Sequence, residues 1–209
     1  MRHEPNLMKM KAIVAPRAGA QDALTVMEVS VPEINGGEVL VRIQAIGVGL
    51  HDRWFMPEDA RFPYPIGIEA AGIVEEIGEA VTRFTPGDRV MFVSAMQPKG
   101  GVWAEFAAVA EQALVPIPDE LDFVRAAALP VAGGTAIRSI RMLGLEAGDT
   151  VFMAGASGAI GTLAIQLARA RGCRVAASAS APNHDYMRAL GAELAVDYRD
   201  PDGVEQGRE

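Results

Sequence analysis

Residues 149–172 read DTVFMAGASGAIGTLAIQLARARG, and how this stretch divides into strand, turn and helix decides the fold. Residues 149–154 are a short apolar run of the length of a buried strand. Residues 158–172 form an amphipathic helix that opens at its glycines. Between them lies a turn whose core is Ala156, Ser157, Gly158, Ala159, Ile160 and Gly161. In such a turn Gly158 lets a pyrophosphate approach the backbone, and Gly161 lets the helix pack closely on the strand. The free N–H groups and the positive dipole end of the helix then receive the anion. Ser157, Gly158, Ala159, Ile160 and Gly161 are therefore the expected cofactor contacts, although the first glycine of the usual G-x-G-x-x-G pattern is Ala156 here. A tight strand-to-helix turn without a ligand would use some of the same residues. The strand before, the helix after and a further strand beyond favour dinucleotide binding.

The pattern continues outward in both directions. After residue 174 come a second strand, RVAASA (174–179), a helix over NHDYMRALGA (183–192) with glycine near its end, and a third strand, LAVDY (194–198). Alternation of this kind is the mark of parallel βαβ units. Upstream, DFVRAAALPVAGGTAIRSIRML (122–143) reads as helical around a Pro-Gly break. Before residue 120 the texture differs: KAIVA, EVLVRIQAIGVG, AAGIVEEIG, DRVMFV, WAEFAAVA and ALVPIP are short period-two runs. Turn signals such as NGGE (35–38) and TPGDRV (85–90) separate them, which indicates an antiparallel, barrel-like β unit. The predicted organisation is a β domain over 9–122, an α/β domain over 123–200 and a polar tail over 201–209. MRHEPNL, at 1–7, reads as a loose extension before the first strand.

The end of the second predicted strand bears on the cofactor. A carboxylate that binds the ribose of NAD would stand about 20 residues beyond the glycines. The sequence there is ASASAPNH (177–184), with no acid. Ser178 and Ser180 can donate to a 2′-phosphate, and Tyr198 with Arg199 at the end of the third strand can reach the same pocket; Arg188 is the nearest basic residue on the intervening helix. The expected cofactor is NADP(H), with ordinary loop polarity as the other reading of the serines.

Composition narrows the function classes. A formal charge of −8 and a pI near 5.0 argue against nucleic acid or an anionic membrane as the main partner, because both require a concentrated basic face. No run approaches the ~18 apolar residues of a membrane span. The one cysteine, Cys173, excludes an intramolecular disulfide framework and a multi-thiolate zinc site, and it suits a reducing cytoplasm. It reads as a small buried residue rather than a catalytic thiol. A soluble cytoplasmic protein acting on a small molecule is the expectation.

The stretches GIEAAGIVEEIGEAVTRFTPGDRV (67–90), GGVWAEFAAV (100–109), ALPVAGGTAIRSI (128–140), VFMAGASGAIGTLAIQLARARG (151–172) and LGAELAVDYRD (190–200) together resemble the medium-chain dehydrogenase/reductase superfamily, in its zinc-independent quinone oxidoreductase (zeta-crystallin-like) branch. The resemblance implies a GroES-like β-barrel-type catalytic domain followed by a Rossmann domain, with the active site in the cleft between them. Zinc-dependent relatives would place Cys at Gly49, His at Ile68 and Cys near Val131. None is present, and His51 alone cannot supply three ligands; a polar loop residue is the other reading of it. No metal is expected. In this branch a reduced nicotinamide passes hydride to a quinone, enone or similar activated alkene, and the protein supplies orientation. By position in the motifs, Thr135 would lie near the nicotinamide or the substrate carbonyl. Trp54 would line the substrate pocket, with core packing as its alternative.

Relatives commonly carry Asn at Gly49, and their fold continues with the second half of the Rossmann sheet. This chain therefore reads as C-terminally shortened, and the edge strand through which the family often forms homodimers is not encoded. Two other functions remain open: a non-catalytic nucleotide-binding or scaffold protein, and an enoyl-thioester reductase. Glu69, alone among small residues in PIGIEAAG (65–72), could be a metal ligand, an acid–base group or an anchor. Without a partner at Gly49 or Ile68 it reads as an anchor that accepts hydrogen bonds or pairs with a basic residue such as Arg138.

Overall fold

A computed structural model describes residues 8–20, 23–52 and 54–200; the N-terminal extension at 1–7 and the polar tail at 201–209 lie outside the described residues. The chain divides into two compact units, one ending at Pro130 and the other beginning at Val131.

The first unit is built from β1 (Lys9–Ala15), β2 (Thr25–Ser30), β3 (Glu38–Ile46), β4 (Tyr64–Pro65), β5 (Glu69–Ile77), β6 (Arg89–Val93), β7 (Phe106–Ala110) and β8 (Leu114–Pro116). They form two antiparallel sheets, of order β2-β1-β4 and β7-β3-β5-β6-β8. Val39 and Val41 on β3, Val90 and Phe92 on β6, and Val74 on β5 point to one side and make the core. That alternation is the period-two pattern of a half-buried strand. Two strands carried too little of this pattern to be read in advance. β2 is an outer strand with Val26 66% and Met27 38% exposed, so its apolar residues do not alternate in and out. β4 is too short to show any period.

The helical stretch after β8 is two helices, α1 (Phe123–Ala127) and α2 (Pro130–Met142). The break falls at Ala128 and Leu129, where Pro130 opens the second helix, and Gly133 and Gly134 continue inside α2. Asp122 caps α1 by accepting the Arg125 N–H at 2.8 Å, as an N-cap aspartate does. α1, expected to start the second domain at 123, belongs to the first unit. Its Ala126 and Ala127 pack with Ala71 and Ile117. The Arg89 guanidinium donates to the carbonyls of Pro118 and Asp119, at 3.3 and 3.2 Å, and to that of Leu121. It also lies over the Phe123 ring at 4.8 Å, so β6 holds the start of the helix in place.

The second unit contains β9 (Thr150–Met153), α3 (Ala159–Ala170), β10 (Arg174–Ala179), α4 (His184–Leu190) and β11 (Leu194–Asp197). The strands form a parallel sheet of order β11-β10-β9, with Val175 opposite Val151 and Ala177 opposite Ala195. Among the described residues β9 pairs only with β10. Ile140 of α2, Val151, Ile165, Ala168, Val175 and Met187 make a separate core. Gly191 ends α4 at φ +115°, the left-handed closure in which glycine is favoured. The architecture is thus a GroES-like β unit followed by a partial Rossmann-like parallel sheet.

Phe92 is 1% exposed at the centre of the first core. Phe92→Ala is expected to cost the first unit about 3–5 kcal/mol of unfolding free energy, the usual penalty for emptying a packed aromatic site. Urea denaturation followed by tryptophan fluorescence measures it.

Candidate functional site

β9 stops at Met153, and the chain reaches α3 through Ala154, Gly155, Ala156, Ser157 and Gly158. Gly155 has φ +62° and its carbonyl accepts the Gly158 N–H at 3.1 Å, which closes the turn. Ala156 is fully buried and its N–H donates to the Ser178 carbonyl on β10 at 2.9 Å, so the turn is tied to the neighbouring strand. A Cβ on Gly161 would stand 2.5 Å from the Ala156 Cα. The first turn of α3 therefore sits against the Ala156 backbone, and only glycine fits.

Gly158 is different. It is the N-cap of α3 with an extended backbone, φ −77° and ψ 172°, which any residue can adopt. A Cβ there would meet only the Gly155 carbonyl oxygen, at 3.4 Å, an ordinary contact. The protein's own packing therefore does not require glycine at 158; the space above it is open. No side chain caps α3, although Ser, Thr, Asp or Asn usually does so. The first N–H groups of the helix, at Ala159, Ile160 and Gly161, face that open space from the positive end of a twelve-residue helix. An open cradle over uncapped N–H groups fits the pyrophosphate of a dinucleotide.

The ends of β10 and β11 close the other side. Ser178 is 6% exposed, and its hydroxyl accepts the Gly155 N–H at 3.4 Å, so it braces the turn from beneath. Ser180 is half-buried just past β10. Asn183, which the sequence reading did not single out, donates from Nδ2 to Ser180 Oγ at 3.2 Å and to Ser157 Oγ at 3.3 Å. The only signal for it was an Asn three residues after a serine, a common turn pattern. Tyr198 is 61% exposed, with the Arg199 guanidinium 5.3 Å above its ring. Asp197 Oδ2 accepts the Ala181 N–H and Oδ1 accepts the Arg199 N–H, both at 3.0 Å. The Arg199 N–H first, then the Ala181 N–H and the Arg199 charge, hold the Asp197 carboxyl below its ordinary range. Thr135 lies on the exposed side of α2, where its hydroxyl donates to the Val131 carbonyl at 2.7 Å.

In the first unit, the corner around Gly49 and Ile68 is organised by a residue that sequence reasoning missed. Asp52 is 1% exposed, and its carboxylate accepts the Gly49 N–H at 2.5 Å and the Ile68 N–H at 3.0 Å. A buried carboxylate bridging two backbone segments leaves no trace in a local pattern, because its partners lie at positions 49 and 68. Glu69 is also buried, and its side chain lies over Gly47, where a Cβ would collide with it. The Gly47 N–H donates to the Glu69 carbonyl at 3.0 Å, and Trp103 Nε1 donates to the Gly47 carbonyl at 3.2 Å. Glu69 is thus packed into the floor of this corner; Arg138, its suggested partner, lies on α2 in the second unit. Trp54 is 59% exposed, not core, and shares its loop with exposed Val48, Leu50 and Phe55. His51 meets the Phe55 ring edge-on, with centroids 5.6 Å apart. Among the described residues no three His, Cys, Asp or Glu side chains are grouped as metal ligands would be, and no helix is long and apolar enough to cross a membrane.

Comparison with known proteins finds relatives that share the fold. Residues 35–119 match the alcohol dehydrogenase GroES-like domain. The chain is 35% identical over 200 residues to the quinone-oxidoreductase homolog of Spinacia oleracea chloroplasts, covering 89% of this chain and 60% of that protein. It is 32% identical over 214 residues to a trans-enoyl reductase of Aspergillus terreus, covering 92% of this chain and 70% of that one. The solved quinone oxidoreductase of Coxiella burnetii superposes with a TM-score of 0.86 at 29% identity, over 95% of this chain and 65% of that one. The chain thus spans about 60% of the length of the plant relative.

The two glycines of the turn should respond differently to a side chain. Gly161→Val should destabilise the second unit by ~2 kcal/mol or more, since added atoms have no space against the Ala156 backbone. Gly158→Val should cost less, about 1 kcal/mol, because a Cβ there meets only an ordinary contact and the loss is that of a tolerated N-cap residue for a poor one. Calorimetry of the two variants checks both.

Proposed function

The chain belongs to the quinone oxidoreductase-like medium-chain dehydrogenase/reductase superfamily, and on that basis we propose that it is an NADPH-dependent, metal-free reductase of quinones, enones or similarly activated alkenes. The observation that carries the reading is the uncapped N-terminus of α3 beneath the open space at Gly158. A bound NADPH would supply the hydride from its reduced ring. The residues of this chain do the rest. The N–H groups of Ala159, Ile160 and Gly161 take the pyrophosphate charge, Gly158 keeps the approach clear, and Ser157 adds a hydroxyl at its edge. Ser180 and Tyr198 line the adenosine end, where no carboxylate in 177–184 repels a 2′-phosphate; Ser178 braces the glycine turn from beneath by accepting the Gly155 N–H.

Substrate would be held by apolar contact. Trp54, with Val48, Leu50 and Phe55, offers an exposed apolar loop suited to a flat conjugated ring or chain. Thr135 has spent its proton on the Val131 carbonyl, so its oxygen is left as an acceptor beside the nicotinamide end. With the hydride delivered to the electrophilic carbon, a proton from solvent or a nearby hydroxyl completes the reduction. Gly49, Ile68 and Val131 carry no ligand atom, and Asp52 spends both its oxygens on backbone N–H groups; that donor set supports a metal-free reaction. The Aspergillus relative is named as a trans-enoyl reductase, which supports conjugated alkenes as the second substrate class beside quinones.

Titration of NADPH into the protein, followed by nicotinamide fluorescence, should show saturable binding that Gly158→Val abolishes. Steady, quinone-dependent loss of NADPH absorbance should follow. Binding without turnover on any quinone or enone would favour the non-catalytic reading, and no binding would overturn the proposal.

A further inference from the structure

Gly49 has no side chain, and an imidazole occupies the room that one would fill. A Cβ at Gly49 would stand 2.8 Å from His51 Cε1, 3.1 Å from Nε2 and 3.2 Å from Nδ1. The edge of the ring that carries both nitrogens therefore lies against the bare Gly49 backbone, an approach that glycine permits. The ring also meets Phe55 edge-on, with centroids 5.6 Å apart. The turn that carries it is fixed. Asp52 is buried and accepts the Gly49 N–H at 2.5 Å and the Ile68 N–H at 3.0 Å. The Asp52 N–H donates to the Gly49 carbonyl at 3.3 Å, and the Trp54 N–H to the His51 carbonyl at 2.8 Å. His51 itself is half-buried, and its ring nitrogens have no hydrogen-bond partner among the described residues.

This ring stands in the exposed apolar loop of Val48, Leu50, Trp54 and Phe55, to which the proposed function gives the substrate. Val48, Leu50 and Phe55 carry no transferable proton, and Asp52 has spent both carboxylate oxygens on backbone N–H groups. Imidazole is the side chain that gives and takes a proton in neutral solution. Reduction of an enone needs such a group. Once hydride has reached the β-carbon, the alkene π pair has shifted toward the carbonyl carbon, and the carbonyl π pair rests on oxygen as an enolate. A protonated ring nitrogen of His51 gives its proton to that oxygen, and the N–H bonding pair stays on the ring. The enol then tautomerises to the saturated ketone, and solvent reprotonates the imidazole. A quinone is different, because its reduction leaves the charge on an oxygen of an aromatic ring. That anion is a weaker base, and a weaker base gains less from a general acid.

We propose that His51 is a catalytic residue of this chain: its imidazole, in place of solvent, is the proton donor to the carbonyl oxygen of a conjugated enone. This rests on the reading of the chain as a reductase of activated alkenes. It makes enones the substrates that depend on the chemistry of the loop as well as on its apolar surface.

The first test needs no cofactor. para-Nitrophenol, a conjugated phenol that mimics the enol, is titrated into the wild-type chain while the His51 Cε1 proton is followed by NMR, its resonance assigned by its loss in His51→Gln. That resonance should shift saturably with the phenol. No binding, or binding that leaves the resonance unmoved, would overturn the inference. The second test is steady-state kinetics with NADPH on a simple enone and a simple quinone. His51→Gln keeps a hydrogen-bond donor but cannot release a proton. It should lower enone kcat by about a hundredfold, the scale of general acid catalysis, with KM within about twofold and quinone kcat lowered by less than about tenfold. NADPH affinity, read by fluorescence, should match the wild type and so establish that the variant is folded. An equal fall on both substrates, or an unchanged enone kcat, would make His51 a packing group and overturn the inference while the reductase reading stands. A wild type that binds NADPH and turns over neither substrate would overturn the reductase reading, and this inference with it.

Discussion

No atom fits between the first turn of α3 and the backbone of Ala156, because a Cβ on Gly161 would stand 2.5 Å from the Ala156 Cα. That close approach seats the helix on the end of β9 and so decides where its N-terminal N–H groups point. Ala156 in turn donates to Ser178 on β10, and Ser178 reaches back to Gly155. The turn is therefore held by its own strand, by the helix above it and by the neighbouring strand. The uncapped N–H groups at 159–161 follow from this arrangement. A helix that begins on a glycine N-cap without a side-chain acceptor gives up only about a few tenths of a kcal/mol relative to a good cap and leaves its first N–H groups open to an anion.

The first unit meets a similar constraint with charge instead of close packing. Asp52 gathers Gly49 and Ile68, and Glu69 fills the space that Gly47 leaves. Two carboxylates are buried in one corner, and buried carboxylates persist only when hydrogen bonds compensate their desolvation. Glu111 repeats the device at the far end of the same unit. It is 7% exposed and accepts the N–H groups of Thr82 and Arg83 at 2.7 and 2.6 Å, and those bonds, the Arg83 one foremost, hold its carboxyl below the ordinary range. Loops in this unit are thus pinned to strands by acids, which leaves the exposed apolar loop with Trp54 standing on a fixed base.

Much of this was legible in the sequence because it was local. The strand at 150–153, the glycine turn and α3 follow one another directly, and period-two runs marked β1, β3, β5 and β6. What escaped was set by contacts between distant residues. β2 does not bury alternate side chains, so hydrophobic periodicity could not reveal it. α1 joined the first unit because Arg89, on β6, reaches the carbonyls of 118–121 and the Phe123 ring. Asp52 and Asn183 each bridge two segments, and a single polar letter carries no hint of its partners. Trp54 was read as either pocket or core; its exposure shows that it is not core.

In the proposed function the N–H groups at the start of α3 receive the cofactor's pyrophosphate. Amide hydrogen exchange of the wild-type chain, with and without saturating NADPH, reads those groups directly. Exchange at Ala159, Ile160 and Gly161 should slow markedly on binding, while the far end of α3, near Ala170, should change little. Saturable binding with unchanged exchange at these three residues would show that the dinucleotide is held elsewhere.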